Sequence, residues 1–137
     1  MNKQFIFQKK FKGWYKELDN THSIMFSDDI DSLFLSRFLE LEFGCKLDLF
    51  NSFSTIYSKA GVDIYALTKG KVVGTDIDLS KGKTFSNHVT YLQNPDCISL
   101  NKYIPYGCKE YYGKFAGSTL LTVLSLYEYD VSSIITL

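Results

Sequence analysis

Apolar residues near the amino terminus recur at intervals of one, three and four positions, the spacing of a single stripe along a helix. This pattern predicts an amphipathic helix over about residues 3–18, within an amino-terminal segment 1–20. We expect the stripe to pack against the rest of the fold, and the intervening lysines to face water. The stripe consists of Phe7, Phe11, Trp14, Tyr15 and Leu18.

The next residues predict a strand, a helix and a second strand. Residues 22–27 form an apolar run of strand length, helical spacing extends from residue 28 to Gly44, and residues 45–50 form another apolar run. Gly44 is a natural helix end because glycine adopts left-handed backbone conformations without a steric penalty. Such a unit almost always closes as a right-handed parallel crossover. We therefore predict an α/β fold, a three-layer domain with a mainly parallel sheet flanked by helices.

The rest of the chain continues the alternation, with turn-rich segments between apolar runs. The predicted strands lie at 63–67, 71–79 and 131–137, the predicted helix at 115–129, and the predicted loops at 80–90 and 96–113. Residues 51–62 leave a short helix and a loop as alternatives. No repeat, low-complexity tract or linker interrupts the pattern, so we expect one domain over residues 1–137.

Two of the predicted strands end in carboxylates. Asp29 and Asp31 follow the strand at 22–27, and Asp76 and Asp78 close the strand at 71–79. Because open α/β sheets bind ligands at the carboxyl ends of their strands, we expect the four side chains to converge within a few ångström. An all-oxygen pocket of this kind suits Mg²⁺ or Mn²⁺. The alternative for the first pair is helix capping, a common role of aspartate.

Other candidate residues follow the second acidic pair. His88 lies in a loop that could return to the acidic edge, where a neutral imidazole would complete the coordination of a metal without adding charge. The alternative is a loop histidine bonded to its own backbone. Ser118 and Thr119 begin the last predicted helix and suit a phosphate oxygen, and Lys83 could neutralise a phosphate. Close helix packing and a solvated lysine are the corresponding alternatives.

Composition and charge narrow the classes of partner. Lys plus Arg number 15 against 15 Asp plus Glu, so no global field recruits nucleic acid or an anionic membrane, and any polyanion must be held locally. The 3 cysteines are far apart and lack the spacing of a zinc site or disulfide framework, which favours a reducing cytoplasm. The sequence contains neither a signal-peptide core nor an apolar run of membrane-spanning length. We therefore expect a cytoplasmic protein with no membrane partner.

These features, in this order, resemble the amino-terminal domain of the DHH phosphoesterase superfamily over about residues 22–129. The family's D-x-D pair after the first strand corresponds to Asp29-Ile30-Asp31. Its name-giving Asp-His-His corresponds to Asp76-Ile77-Asp78, so both histidines of that motif are absent. A polar loop then leads to Asn94-Pro95 and to the small-residue helix start at 115–119, as in the family.

The resemblance implies a hydrolase that cleaves a phosphodiester with the help of a metal. Its substrate would be a nucleotide or a short single-stranded nucleic acid, as for a nuclease, with a bridging hydroxide attacking phosphorus. In this chain Asp76 and Asp78 would be catalytic, Asp29, Asp31, Asp76 and His88 would hold Mn²⁺ or Mg²⁺, and Lys83, Ser118 and Thr119 would contact the substrate phosphate. The family's second, substrate-gripping domain has no counterpart here, so we expect a homo-oligomer or a partner chain to complete the cleft. The alternative is a DHH-like module that has lost turnover and binds a nucleotide or a protein.

Two other classes stay open at this point. Paired acids after a first strand also describe a receiver-like or flavodoxin-like phosphoacceptor domain, but that site needs a lysine late in the chain, and none follows Lys114. An interaction module is the third class, with tyrosines as aromatic anchors. Those tyrosines are Tyr103, Tyr106, Tyr111 and Tyr112, for which packing at the sheet edge is the simpler role.

Overall fold

The structure is a computed structural model that describes residues 10–63, 69–102 and 109–130. Its strands are β1 (Ser23–Phe26), β2 (Lys46–Asn51), β3 (Ile56–Ser58), β4 (Val72–Thr75), β5 (Lys83–Phe85) and β6 (Cys97–Ile98). Its α-helices are α1 (Ile30–Phe43) and α2 (Thr119–Leu126), and two 3-10 helices cover Gly13–Glu17 and Lys109–Gly113. The strand-helix-strand unit predicted over residues 22–50 is therefore confirmed.

The strands form one sheet in the order β3-β2-β1-β4-β5-β6. Every neighbouring pair is parallel except β2 with β3, which is antiparallel. This arrangement confirms the predicted α/β fold with a mainly parallel sheet. Because β1 and β4 are parallel neighbours, with Met25 aligned on Gly74, their carboxyl ends lie side by side at one edge of the sheet.

Successive side chains along a strand point to opposite faces of the sheet, so apolar residues pack on both faces. Ile24 of β1 belongs to the larger buried cluster, whereas the next residue, Met25, belongs to a smaller one. The larger cluster includes residues of both α-helices, of the first 3-10 helix and of its C-cap: Trp14, Tyr15, Leu18, Leu35, Leu39, Val123 and Leu126. The smaller cluster contains no residue of a described helix, so the three-layer arrangement stays a prediction.

The first described segment differs from the predicted helix. Residues 10–12 are not helical, and the helix that follows is the five-residue 3-10 helix Gly13–Glu17. A glycine inside an α-helix costs about 1 kcal/mol, and Trp14 Nε1 donates a hydrogen bond of 2.9 Å to Asp96 O, which anchors the short helix. The continuous helix is therefore wrong for residues 10–12, and residues 3–9 lie outside the described ranges. The described residues of the stripe are buried or half-buried: Phe11, Trp14, Tyr15 and Leu18.

Two segments predicted to be loops contain strands. β5 lies within the predicted loop at 80–90, and β6 lies within the one at 96–113. Strands of two or three residues are too short for a recognisable alternation of apolar and polar positions, and they form only by pairing with a neighbour. The predicted helix at 115–129 is also shorter, because Ser118 caps it and α2 ends at Leu126. The strands predicted at 63–67 and 131–137 fall almost wholly outside the described residues.

Candidate functional site

Two carboxylates that follow neighbouring strands meet at the amino end of α2. Asp31 lies in the first turn of α1, after β1, and Asp76 directly follows β4. The Thr119 hydroxyl donates to Asp76 Oδ1, and the Thr119 N–H donates to Asp31 Oδ2 at 2.5 Å. The structure therefore brings both carboxylates and the start of α2 together at the carboxyl edge of the sheet.

Asp31 caps α2 in this arrangement. Besides the Thr119 N–H, its carboxylate accepts hydrogen bonds from the Ser118 hydroxyl and from the Leu120 N–H at 3.3 Å. The first N–H groups of a helix have no partner within the helix, and a negative charge there also stabilises the positive end of the helix dipole. Ser118 and Thr119 thus contact a carboxylate of the chain itself, at the position where the sequence suggested a phosphate oxygen.

The other two acidic residues occupy different positions. Asp29 is the N-cap of α1, is exposed, and accepts a 2.8 Å hydrogen bond from the Asp31 N–H, which is the capping role considered from the sequence. Asp78 is half-buried and lines a cavity together with Asp76. Asp76 and Asp78 therefore share one surface, whereas Asp29 serves the helix that it begins.

Asp76 has an uncommon backbone conformation. Its φ angle is +54°, in the left-handed region, and the residue is 6% exposed. A left-handed conformation costs a non-glycine residue about 1–2 kcal/mol, although aspartate adopts it more readily than most. The Asp76 N–H donates to Phe85 O at 2.8 Å, and this bond to β5 holds the turn after β4 in place.

His88 lies beside Asp76, as the sequence analysis expected. Its Nε2 is 3.4 Å from Asp76 Oδ2 and 3.2 Å from Asp76 O, and its backbone N–H donates to Ser86 Oγ at 3.1 Å. The side chain is nevertheless 54% exposed, so one side of the ring stays open to solvent. The pair combines a buried carboxylate with an accessible imidazole.

The electrostatics of this pair favour its charged form. The hydrogen bond to Asp76 raises the pKa of His88 to about 9, outweighing partial burial, and the charges of Asp76 and Asp78 add to the effect. Burial acts to raise the pKa of Asp76, but the hydrogen bonds with His88 and Thr119 outweigh it and leave the pKa below its usual range. Beside these carboxylates His88 therefore favours its protonated form at neutral pH.

The pair opens onto a cavity of about 520 Å³. Its lining includes Asp76, Asp78, His88, Lys114 and Phe53. Further lining residues are Asn51, Ile77, Asn87, Val89, Thr90, Leu92 and Tyr111. A volume in this range suits a small organic ligand, and the mixture of charged, amide and aromatic groups is typical of a binding site.

Lys83 does not lie at this edge. It is the first residue of β5 and aligns with Val73, and its Nζ lies 3.1 Å from His22 Nε2, next to the start of β1. The side chain therefore lies toward the amino ends of the strands, where Asp19 accepts from the other ring nitrogen of His22 at 2.8 Å. The expectation that Lys83 meets the acids is wrong because residue 83 begins a parallel strand and is not part of a loop.

The described side chains do not fit a metal centre in this arrangement. Asp31 already accepts three hydrogen bonds and His88 already pairs with Asp76, so a metal ion would have to replace contacts that these side chains make. In the part of the chain that the structure describes, no three His, Cys, Asp or Glu side chains form a group that could hold a metal ion. A Mn²⁺ or Mg²⁺ site therefore stays a prediction from the sequence.

The sequence did not indicate Lys114 or Phe53 as residues of this cavity, and it suggested Tyr111 only as an aromatic anchor or a packing residue of the sheet edge. Tyr111 lies in the second 3-10 helix, and Lys114 directly follows that helix. The Lys114 Nζ lies 4.4 Å above the centre of the Tyr111 ring. Phe53 comes from the loop between β2 and β3. The sequence signals a turn around Phe53 through its serines, but nothing in it indicates that this turn borders the acidic edge.

Comparisons with protein-family models, with curated proteins and with solved structures find no match for this chain. None of the helices in the described ranges has the length and apolar character that crossing a membrane requires.

Proposed function

We propose that the cavity beside Asp76 and His88 binds a phosphorylated nucleotide or a short phosphodiester. The observation that carries this proposal is the position of the His88 imidazole, whose Nε2 lies 3.4 Å from a buried carboxylate and which is exposed toward a cavity of about 520 Å³. A charged donor fixed by a hydrogen bond is already oriented, so little entropy is lost when an anion binds. Lys114 supplies a second cation on the cavity wall.

The carboxylates of the cavity suit another part of the same ligand. Asp78 is half-buried and lines the cavity, where its oxygens are able to accept hydrogen bonds from sugar hydroxyls. The phosphate would lie against His88 and Lys114, and the sugar would lie toward Asp78. The lining contains two acids and two cations, so their charges balance. The position of each charged group therefore determines which ligand the cavity binds.

Binding without a resident metal is the form of this proposal that the donor set supports. Asp31 caps α2 and His88 pairs with Asp76, so a cation would have to displace contacts that are already made. Metal-dependent hydrolysis of a phosphodiester is the second candidate, favoured by the two carboxylates, Asp76 and Asp78, on one cavity. It would require the cation to arrive with the substrate and the Asp76–His88 pair to separate.

The experiment is calorimetric titration of the protein with AMP and with a short oligonucleotide, in EDTA and then in Mn²⁺. We expect binding in EDTA, and a loss of about 10-fold in affinity for His88→Gln, because a charge-assisted hydrogen bond contributes at least about 1.5 kcal/mol. Lys81→Gln is the matched control, since Lys81 is an exposed lysine of the neighbouring loop that does not line the cavity. Its affinity should stay within about twofold of the wild type.

Three results would decide between the candidates. Absence of binding in both conditions would refute the proposal. Binding only in Mn²⁺, with release of a hydrolysed product, would favour the metal-dependent phosphoesterase. Equal losses for His88→Gln and Lys81→Gln would show that binding is a general charge effect and not a property of the cavity.

We also propose a reducing cytoplasm as the compartment. Cys45 and Cys97 are free thiols, and burial raises the pKa of Cys45 to about 11 and that of Cys97 to about 12. Such thiols stay protonated and unreactive. The support for this proposal is that both cysteines are unpaired, which is the usual state in a reducing compartment.

A further inference from the structure

The loop between β2 and β3 holds a phenylalanine in a backbone conformation that it rarely adopts. Phe53 has a φ angle of +66°, in the left-handed region. The Asn51 side chain accepts a 2.7 Å hydrogen bond from the Phe53 N–H. Ser52 and Thr55 close the loop by a backbone hydrogen bond of 3.0 Å, and the Thr55 N–H donates to Ser52 Oγ at 3.2 Å. The loop therefore imposes the conformation on Phe53.

The side chain of Phe53 gains little from folding. It is 72% exposed, so burial of its ring does not offset the strain of the backbone. Glycine would adopt this φ angle without a steric penalty, and asparagine would adopt it more readily than phenylalanine. The stability of the loop therefore does not explain a strained, exposed aromatic residue at this position. Strained residues cluster at functional sites, which favours a role for Phe53 in binding.

The position of the Phe53 ring is consistent with a role in binding. Phe53 lines the same cavity of about 520 Å³ as His88 and Asp78. The chain brings it there through β2, which ends in Asn51 beside the carboxyl end of β1. The cavity thereby combines an apolar aromatic surface with the charged groups of its acidic edge.

We propose that Phe53 is a stacking platform for a planar aromatic ring of the ligand whose phosphate lies at His88, an inference that rests on the proposed function. Aromatic faces stack on nucleobases without hydrogen-bond readout, so Phe53 would favour ligands with a base over sugar phosphates. With about 520 Å³, the cavity is large enough for a mononucleotide. The strain in the loop then presents the ring before the ligand arrives.

The experiment compares three probes and three variants. AMP carries the ring and the phosphate, adenosine carries only the ring, and ribose 5-phosphate carries only the phosphate. Phe53→Gly should lower the affinity for AMP and adenosine by about 5- to 100-fold and leave ribose 5-phosphate unchanged. Phe53→Tyr should retain the affinity for all three probes, because it retains the aromatic face. Phe34→Ala removes an aromatic residue that is 60% exposed on α1 and serves as the control.

A stability measurement separates this role from a structural one. Phe53→Gly relieves the left-handed strain, so its melting temperature should stay equal or rise by a few degrees while its affinity falls. A residue needed only for the loop would lower both.

The outcomes also separate the two proposals. AMP and adenosine affinities within twofold of the wild type in Phe53→Gly, or no binding of either by the wild type, would overturn the stacking role. Binding of adenosine that Phe53→Gly weakens, together with no binding of ribose 5-phosphate, would support the stacking role and overturn the phosphate site.

Discussion

Replacing Asp31 by alanine is expected to destabilise the fold more than the same change at Asp29, the N-cap of α1. One half-buried carboxylate joins the first turn of α1 to the start of α2 by accepting from the Ser118 hydroxyl and from the N–H groups of Thr119 and Leu120. These partners lie 87 to 89 residues away in the chain, so the bonds hold two distant segments together.

The size of the expected loss in free energy of unfolding follows from the number and kind of these hydrogen bonds. A hydrogen bond to a charged group contributes about 1.5–3 kcal/mol net. The three bonds share one carboxylate, and water replaces part of what the half-buried Ser118 and Leu120 lose, whereas Thr119 is buried. We therefore expect Asp31→Ala to lower the free energy of unfolding by about 2–4 kcal/mol, and Asp31→Asn by roughly half as much because one carbonyl acceptor remains.

The assay is urea denaturation followed by circular dichroism, with the midpoint shifting at an unchanged m value. The matched control is Asp29→Ala, which removes an exposed N-cap with one hydrogen bond of 2.8 Å from the Asp31 N–H. It should cost about 1 kcal/mol. Equal losses for the two alanine variants would refute the conclusion that Asp31 connects α1 to α2.

Two further measurements test the site and the packing beneath it. An NMR titration of the His88 ring should give a pKa of about 9, and Asp76→Asn should bring it back toward 6.5. The raised His88 pKa stabilises the fold fully below about pH 6.5 and ceases to do so as the pH rises through about 9, whereas the lowered Asp76 pKa stabilises it above about pH 3.8 and ceases to do so in stronger acid. A wild-type His88 pKa near 6.5 would contradict the pairing. Gly74→Ala should lower the free energy of unfolding by about 1–3 kcal/mol, since its Cβ would lie 2.6 Å from Thr84 Oγ1. Gly13→Ala, with nothing within 4 Å of its Cβ, should cost nothing in the same denaturation assay.

Local patterns in the sequence determined the elements that carry the acidic edge. The apolar run before Asp29 predicted β1, helical spacing predicted α1, and the glycine at its end has a φ angle of +71° as a helix C-cap. Placing Asp76 after a strand of the same sheet followed from the parallel crossover rule. These signals come from residues that are close together in the sequence. The spacing of such residues is therefore enough to predict the strand and the helix.

Only the tertiary structure decided which side chains meet there. β5 forms by pairing with β4. This pairing places Lys83 near the amino ends of the strands, away from the edge where the acids lie. The two cations and the aromatic ring of the cavity come from loops far apart in the chain, at residues 53, 88 and 114. Contacts between such loops depend on how the strands order themselves and how the helices pack. No periodicity in the sequence records that order. The acids and the position of His88 beside them were predictable from the order of elements, whereas Phe53 and Lys114 at the same cavity were not.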